Sequence, residues 1–503
     1  MSRNRTIVVV VGIMTGLFLA SIEATVIGTA MPTIISQLGG LQIYGWVFSV
    51  YMLTSTSTMP IFGKLSDIYG RRPVYLVAVA LFLIGSVMCG TANSMGELIA
   101  YRGLQGLGAG GLLPLAFTII GDIFSLEQRA KMQGLFSGVW GVSSLIGPLI
   151  GGFLVDNVSW RWVFYVNLPF GLLAALIIWF VLRESHTPTA RRAVDYRGVI
   201  LLVTGIVSFL LALLEGPDSG WTSPLVVGLG ALSLVLLGGF VWNETRVEDP
   251  IISPALFEQR LFTVGSAHGF LVGVAMFGTI SFIPLFAQGV LGLDATTAGA
   301  MLIPINIGWV LSSTIGGRLL LKEGYRRVAI ASMLFLCTGA FLMSRISAAT
   351  PQWQLLLFGG LMGAGMGAGV TAFLISIQSS VKRQQLGVAT STLQFARSIG
   401  GTVGVSLFGT VLSAKLIEGL ARQGADTTIN PRALLDRANQ VSPAVLAPLR
   451  GALADAVAAI FLLAFGATLA AFLIVLLAPQ PAPAAMAKRP EAKPEPIAQM
   501  GGD

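Results

Sequence analysis

Fourteen long apolar segments constrain this chain more than any other feature of its sequence. Each has about 20 or more mostly apolar residues, the length with which an α-helix crosses the hydrocarbon core of a bilayer. Only helices and closed barrels satisfy the backbone in hydrocarbon, and barrel strands need only about 10 residues. The sequence therefore predicts an all-α polytopic membrane protein with fourteen transmembrane helices. The predicted spans are 7–34, 42–63, 73–92, 97–121, 131–155, 161–182, 197–214, 222–243, 262–290, 297–320, 326–345, 352–379, 386–413 and 451–477.

Composition agrees with a membrane location. Hydrophobic residues make up 54% of the 503 residues and charged residues 11%, whereas soluble proteins carry about 25% charged residues. The two cysteines, Cys89 and Cys337, lie in apolar runs, which excludes a disulfide framework and a cysteine-rich metal site. The first apolar run follows Met1–Arg5 and has no small-residue cleavage site, so we expect it to be retained as a membrane helix.

Basic residues are distributed unequally between the two ends of the predicted bundle. Of the 31 Lys and Arg residues, 22 fall on the side of the N-terminus, seven on the other side, and two, Arg102 and Arg397, inside spans. An excess of Lys and Arg marks cytoplasmic loops. We therefore expect both termini to be cytoplasmic, in a bacterial inner membrane. We attribute the net charge of +8 to membrane topology and expect no nucleic-acid partner.

The two ends of the chain resemble each other at a nearly constant offset. The segment Gly63–Arg72 resembles Gly317–Arg326, and Gly103–Gly108 resembles Gly360–Gly365. Offsets this regular indicate a duplicated six-helix unit, with two further helices inserted between the copies. The predicted regions are a first half (1–190), two inserted helices and a linker (191–260), a second half (261–477) that includes a long outer loop (414–450), and a disordered cytoplasmic tail (478–503).

Four motifs occur in a characteristic order in the first half. Glu23–Pro32 lies in the first span, Gly63–Arg72 follows the second, Arg102–Gly110 lies in the fourth, and Gly147–Gly152 lies in the fifth. Together they resemble the major facilitator superfamily, specifically its fourteen-helix drug:proton antiporters, over 5–415 and the final helix. The family usually has Asp where this chain has Glu23, a longer carboxylate that still allows proton handling. The resemblance implies two parallel six-helix repeats around a central site and transport by alternating access.

Glu23 and Arg102 are the residues that we expect to couple protons to transport. Glu23 is the only carboxylate well inside an apolar span, roughly 24 Å into the first helix at 1.5 Å per residue. An ionisable group at that depth is costly unless it is solvated or paired, and it indicates function by default. Arg102 enters its span from the other side to a compatible depth, and the matching arginine of the family is implicated in proton movement. The alternatives are a carboxyl satisfied in a wet cavity and an arginine that extends to the interface.

A second charged cluster is predicted at the cytoplasmic ends of the helices. A carboxylate at Asp67 can meet the positive N-terminal end of another helix, which by resemblance is the thirteenth span. Arg71 can then pair with Asp122, so that the two halves are held together and separate on inward opening. The alternative is that these charges only set topology. The residues of this predicted cytoplasmic gate are Gly63, Asp67, Gly70, Arg71, Arg72 and Asp122.

The fifth span carries the motif that resembles the antiporter signature. Its Gly147, Gly151 and Gly152 have the small-residue spacing of close helix packing, and Pro148 predicts a bend. We expect this helix to pack on the second or tenth span and to seal the substrate path. Ordinary helix packing is the alternative.

Further polar and aromatic residues are predicted to line a mostly apolar central cavity. Arg397, which is nearest to mid-depth, either binds an anionic group, balances Glu23, or pairs with carbonyls and Gln394. His268 either titrates during transport or is a satisfied buried side chain. The cavity candidates are Gln37, Tyr51, Gln105, Trp140, Gln288, Asn306 and Gln394.

These residues favour a proton-coupled multidrug exporter of small amphipathic or cationic compounds. The alternative is a dedicated exporter of a single metabolite, antibiotic or lipid. No phosphate-binding loop of the GxxxxGK type indicates ATP-driven transport, and no histidine-rich or acidic cluster indicates an enzyme or a metal site. We expect no cofactor. The expected partners are a small-molecule substrate, protons and membrane lipids, and the chain is expected to function as a monomer.

Overall fold

The computed structural model describes residues 3–182, 194–422 and 443–480, and these residues form an all-helical bundle. Seventeen α-helices lie within the described ranges. They are α1 (Arg3–Leu38), α2 (Trp46–Tyr69), α3 (Arg71–Thr91), α4 (Met95–Ile123), α5 (Leu126–Asn157), α6 (Trp162–Tyr165), α7 (Asn167–Val181), α8 (Tyr196–Ser219), α9 (Pro224–Glu244), α10 (Pro254–Glu258), α11 (Arg260–Gly289), α12 (Ala295–Ala300), α13 (Ile303–Glu323), α14 (Tyr325–Met343), α15 (Gln352–Ser380), α16 (Leu386–Arg422) and α17 (Pro443–Leu476).

These helices make fourteen membrane spans, as predicted, because some short helices form a span together with a neighbour. Among the described residues, thirteen helical segments are long and apolar enough to span by themselves, with α6 and α7 forming one of them. The remaining span is α2, whose middle carries the hydroxyl-rich run Thr54–Thr58. This helix has 24 residues, it buries that run almost completely, and it packs between α4 and α16. Neighbouring helices therefore shield its polar surface from lipid, so this span tolerates a less apolar sequence than the others.

The helices form two six-span halves and an inserted pair. The first half contains α1–α7 and the second contains α11–α17, while α8 and α9 pack on each other and α8 also contacts α2 and α16. Equivalent turns in the two halves need glycine, because Gly70 has φ +98° and Gly324 has φ +77°. Both turns join the second helix of a half to the third. The structure therefore repeats at the offset that the sequence motifs predict.

The halves meet mainly through two helix pairs, α2 with α16 and α5 with α13. A side chain at Gly63 would collide with Ser391 and with the carbonyl of Gly387. In the second pair, a side chain at Gly317 would lie 2.9 Å from the carbonyl of Ala130. Small residues thus allow the backbones to approach at both interfaces, where packing rather than the hydrophobic effect holds membrane helices together.

Several predicted boundaries are wrong by more than a turn. The thirteenth span was expected to end at 413, but α16 continues to Arg422. Its 37 residues measure about 55 Å, well beyond a hydrocarbon core of about 30 Å. The polar stretch 414–422 is thus part of the helix. A helix of this length can extend beyond the bilayer, because its backbone hydrogen bonds are made within the helix. The rest of the predicted outer loop up to 442, the first domain boundary at 190 and the tail from 481 lie outside the described residues.

The inserted helices are connected to the first half by polar contacts near the basic end of the bundle, the end at which α1 begins. Lys64 of α2 forms an ion pair with Asp249 at 3.6 Å, just beyond α9. Glu244 accepts a hydrogen bond from the Ile252 amide at 2.8 Å, and Asn243 donates to Asp195, which caps α8. The linker after α9 is therefore folded against the bundle rather than free of it.

The close packing of α3 on α4 is a test of the fold. A Cβ atom at Gly108 would overlap the backbone of Ala78 and Phe82, whereas one at Gly138 of α5 would meet nothing within 4 Å. We expect Gly108→Ala to lower the free energy of unfolding by about 1–3 kcal/mol, the usual cost of overpacking. Thermal unfolding of the purified protein measures this, with Gly138→Ala as the matched control. Equal stability of the two variants would contradict the packing of α3 on α4.

Candidate functional site

Glu23 lies at the centre of a buried polar network in the first half. Its side chain in α1 is 1% exposed. One carboxylate oxygen accepts a hydrogen bond and ion pair from Nη1 of Arg102 in α4. The other accepts a hydrogen bond from Nδ2 of Asn167, at the start of α7, at 2.5 Å. Both carboxylate oxygens are therefore satisfied, which offsets the cost of a charge at this depth.

The positive charge of Arg102 is shared among several acceptors. Besides Glu23, Nη1 donates to Oε1 of Gln105 at 2.6 Å, and Nε donates to the carbonyl of Val47 at 3.1 Å. The guanidinium carbon lies 4.0 Å from the centroid of the Tyr51 ring, a cation–π geometry. Arg102 is 2% exposed, so it does not extend to the interface. It would keep favourable contacts if Glu23 became neutral.

The network continues through Ser86 of α3. Its hydroxyl accepts hydrogen bonds from Asn167 at 3.0 Å and from Gln105 at 3.3 Å, and it donates to the carbonyl of Phe164 at 2.9 Å. Asn167 Oδ1 is buried and has no hydrogen-bond partner among the described residues. Sequence reasoning missed Ser86 and Asn167. Their only signal was a polar residue within an apolar run, which many spans contain.

The network is closed to the space between the halves. Its members come from α1, α2, α3, α4, α6 and α7, all of the first half, and Glu23 is sealed among them. A cationic substrate therefore has no direct access to Glu23 in this conformation. Gln105, expected to line the cavity, is instead buried within the network. Tyr51 is half-buried beneath the guanidinium of Arg102.

The glycine motif of α5 packs on α1, the helix that carries Glu23. A side chain at Gly147 would collide with Thr25, and one at Gly151 would collide with Thr29. The face that carries these glycines therefore meets α1, whereas the predicted packing of α5 on the tenth span, α13, is made by Gly134, which lies against Thr314. The difference arises because one helix has several faces, and a motif does not say which neighbour its face meets.

Other members of the motif play different parts in the packing. Gly152 faces open space, so it is not part of the close contact. Pro148 lies inside α5, which continues to Asn157. A hydrogen bond of 2.6 Å from Ser21 to Ser143 adds a polar contact between α1 and α5 beside the motif.

The charged cluster at the basic end bridges the two halves. Asp67 accepts hydrogen bonds from the backbone amides of Gly387 at 2.9 Å and Val388 at 2.8 Å, at the N-terminus of α16. A carboxylate is favoured there by the unsatisfied amides and by the helix dipole. Asp67 also pairs with Arg71 at 2.5 Å. The buried carboxylate thus joins the first half to the second.

Arg71 and Asp122 extend this contact to Arg383 of the second half. Arg71 Nε pairs with Asp122 at 2.8 Å, and its Nη2 donates to the carbonyl of Arg383 at 3.2 Å. Arg383 in turn pairs with the other oxygen of Asp122 at 2.9 Å. Arg383 was not among the predicted gate residues, because its loop position indicated only topology. Arg72 points away, and its guanidinium lies over the ring of Trp179.

The remaining predicted cavity residues are dispersed. Trp140 is 39% exposed, Asn306 is half-buried, and Gln288 is exposed. Gln37 accepts a hydrogen bond from Trp160 at 2.8 Å. His268 is buried against the ring of Phe373, and its Nε2 has no hydrogen-bond partner among the described residues. Within the described ranges, no three His, Cys, Asp or Glu side chains are grouped to hold a metal ion.

Comparison with protein families gives one match that covers most of the chain. The model of the Major Facilitator Superfamily matches residues 13–405. The chain belongs to the Major Facilitator Superfamily. The fold of the superfamily is also found in solved structures: the human organic anion transporter MFSD10 (TETRAN) superimposes with a TM-score of 0.64 at 17% identity, covering 94% of this chain and all of that one. A bacterial homologue of the lysosomal transporter Spinster, in an inward-facing and occupied conformation, gives 0.59 at 18% identity over 95% and 97%.

Two of the curated relatives within the superfamily are named as multidrug proteins. The multidrug transporter protein MdtP of Bacillus subtilis (strain 168) is 39% identical over 414 residues, 82% of this chain and 76% of that protein. Multidrug resistance protein 3 of the same organism is 37% identical over 472 residues, 91% and 92% of the two chains. These similarities confirm the predicted multidrug efflux family. The protein is therefore a small-molecule transporter of an integral membrane family.

The contact of Asp67 with α16 can be tested by hydrogen exchange. We expect Asp67→Asn to speed exchange of the Gly387 and Val388 amides by at least about tenfold, since a hydrogen bond to a charged group contributes about 1.5–3 kcal/mol. Mass spectrometry of the peptide at the start of α16 measures this. The control is Glu127→Gln, which disrupts the exposed Glu127–Lys131 pair within α5. Unchanged exchange in Asp67→Asn would contradict the contact.

Proposed function

We propose that this member of the superfamily is a proton-coupled antiporter that exports small amphipathic compounds, cations included, by alternating access. The observation that carries the proposal is the buried Glu23–Arg102 pair, the one carboxylate deep in a span of the first half together with its guanidinium partner. A carboxyl that must load and unload protons needs such a protected site and a compensating charge. The multidrug relatives support export as the direction of transport.

We place the basic end of the bundle in the cytoplasm of a bacterial cell, following the distribution of Lys and Arg. The cluster of Asp67, Arg71, Asp122 and Arg383 then closes the cytoplasmic side in this conformation. The transporter functions as a monomer surrounded by lipid. In this orientation a proton reaches Glu23 from outside and leaves to the cytoplasm after the gate opens.

Protonation of Glu23 is the step that changes the structure. A neutral carboxyl no longer forms an ion pair, while Arg102 keeps the Gln105 amide, the Val47 carbonyl and the Tyr51 ring. The contact between α1 and α4 then weakens. Because α5 packs on α1 through Gly147 and on α13 through Gly134, a shift of α1 is passed to the interface between the halves. Such a two-state element links protonation to the gate.

The energy of one proton is sufficient for useful export. A charge that crosses about 100 mV supplies about 2.3 kcal/mol. One pH unit adds about 1.4 kcal/mol. Together they support a substrate gradient of a few hundredfold per proton, if that charge moves through the whole potential.

The test is transport by purified protein in proteoliposomes. We expect an imposed pH gradient to drive accumulation of the fluorescent cation rhodamine 123, and we expect Glu23→Gln to lower the gradient-driven rate at least about tenfold because it cannot carry a proton. Glu23→Asp, which restores the usual carboxylate of the family, should retain a substantial part of the rate.

Two controls separate coupling from folding. Glu97→Gln changes an exposed glutamate of the same half that caps α4, and it should transport like the wild type. Thermal unfolding of Glu23→Gln must show a folded protein, since Arg102 retains three other partners there. Gradient-driven transport at the wild-type rate by Glu23→Gln would overturn the coupling role of Glu23. Export of a single compound from a broad panel would favour a dedicated exporter.

A further inference from the structure

A second arginine lies inside the membrane and has no counter-charge among the residues that the structure describes. Arg397 of α16 is half-buried, and it forms no hydrogen bond, ion pair or ring contact with any residue that the structure describes. One turn before it, Gln394 is 5% exposed and likewise has no hydrogen-bond partner within the described ranges. Both side chains carry N–H donors that cannot stay unsatisfied in hydrocarbon.

The neighbours of α16 indicate where these donors point. Ser398 forms a hydrogen bond of 2.8 Å with Thr56 of α2, whereas a side chain at Gly400 would collide with the Phe270 carbonyl of α11. At 3.6 residues per turn, Gln394 and Arg397 lie about 60° apart, on the arc between these two contacts. Because α2 belongs to the first half and α11 to the second, this arc faces the space between the halves rather than lipid.

At the basic end, the same arc of α16 has polar partners. There Gln378 of α15 donates to the hydroxyl of Thr390 at 3.2 Å and to the carbonyl of Phe117 in α4 at 3.2 Å. Gln394 and Arg397 follow one and two turns farther along α16, where the arc has no polar partner. The two donors therefore lie beyond the polar contacts of the basic end, on the side of α16 between α2 and α11.

Arg397 is distinct from the proton-coupling pair. Thr56 lies at the middle of α2 and forms a hydrogen bond with Ser398, the residue that follows Arg397 in α16. Arg102 instead contacts Val47 at the far end of α2, nine residues or about 13 Å away along the helix. Glu23 already has its own guanidinium partner. The charge of Arg397 is thus not used to balance Glu23 in this conformation.

We propose that Arg397 and Gln394 form the binding site for an anionic group, such as a carboxylate, of an amphipathic substrate in the central space. A guanidinium binds a carboxylate through two parallel hydrogen bonds, and the adjacent amide of Gln394 adds a third donor. A substrate anion supplies the missing counter-charge, whereas a purely cationic compound gains no interaction from Arg397. Building on the proposed export function, this inference adds acids and zwitterions to the substrates and sets their orientation.

Cysteine labelling tests the site without any transported compound. Gln394→Cys places a thiol beside Arg397, and its reaction is measured as the increment over the parent chain, which keeps Cys89 and Cys337. We expect the thiol of Gln394→Cys to be accessible to water-soluble reagents. It should react faster with the anionic sulfonatoethyl methanethiosulfonate than with the cationic trimethylammonium-ethyl reagent. This anion-to-cation rate ratio should fall at least tenfold when Arg397→Gln is added and less than threefold with Arg397→Lys. An unreactive thiol or an unchanged ratio would overturn the proposal.

A matched dye pair tests the substrate class. Rhodamine 110 is a carboxylic acid and rhodamine 123 is its methyl ester. Their binding to detergent-purified protein therefore compares a carboxylate with an uncharged ester on the same ring system. We expect Arg397→Gln to raise the Kd of the acid at least tenfold and to change that of the ester less than twofold. If Arg397→Gln changed the Kd values of both dyes equally, or changed neither, the proposal would be overturned. That result is expected if the site binds a free inorganic anion instead of a substrate carboxylate. Neither assay uses a proton gradient, so failure here leaves the role of Glu23 standing.

Discussion

A charged side chain inside a membrane helix must be compensated, and the first half of this transporter is organised around that constraint. Glu23 receives hydrogen bonds from Arg102 and Asn167, and Arg102 is held in turn by Gln105 and the Val47 carbonyl. The pair is costly to bury and costly to break by removing one partner. Changing its charge by one proton is therefore one of the few small events that can alter how these helices pack.

Only one or two helices separate this pair from the interfaces between the halves. Helix α1 touches α5 at Gly147, and α5 touches α13 of the second half at Gly134. Helix α2, whose Tyr51 lies against Arg102, continues to Asp67 and the N-terminus of α16. Small residues bring these helices close, so that a shift of one requires a shift of its neighbour. The same α16 carries Arg397, which places the proposed anion site on a helix whose N-terminus contacts Asp67.

Much of this arrangement could be predicted from the sequence, since apolar length, basic loops and repeated glycines depend on local residues. The spans and the similar depths of Glu23 and Arg102 follow from such patterns, whereas the contact of Asp67 with the thirteenth span was implied by the resemblance to the superfamily. The partners Asn167, Ser86 and Arg383 could not be predicted, because an amide, a hydroxyl or a loop arginine gains its role from neighbours distant in the chain. For the same reason the sequence did not indicate that the glycine motif of α5 meets α1.

The central claim is that Glu23 itself takes up the transported proton. Infrared difference spectroscopy of the reconstituted protein tests it most directly. The C=O stretching band of a protonated carboxyl lies at a higher frequency than the bands of a carboxylate or an amide. On acidification, the wild type should gain such a band that is absent from Glu23→Gln and shifted in Glu23→Asp. The same band in wild type and Glu23→Gln would contradict the claim and assign the proton to another group.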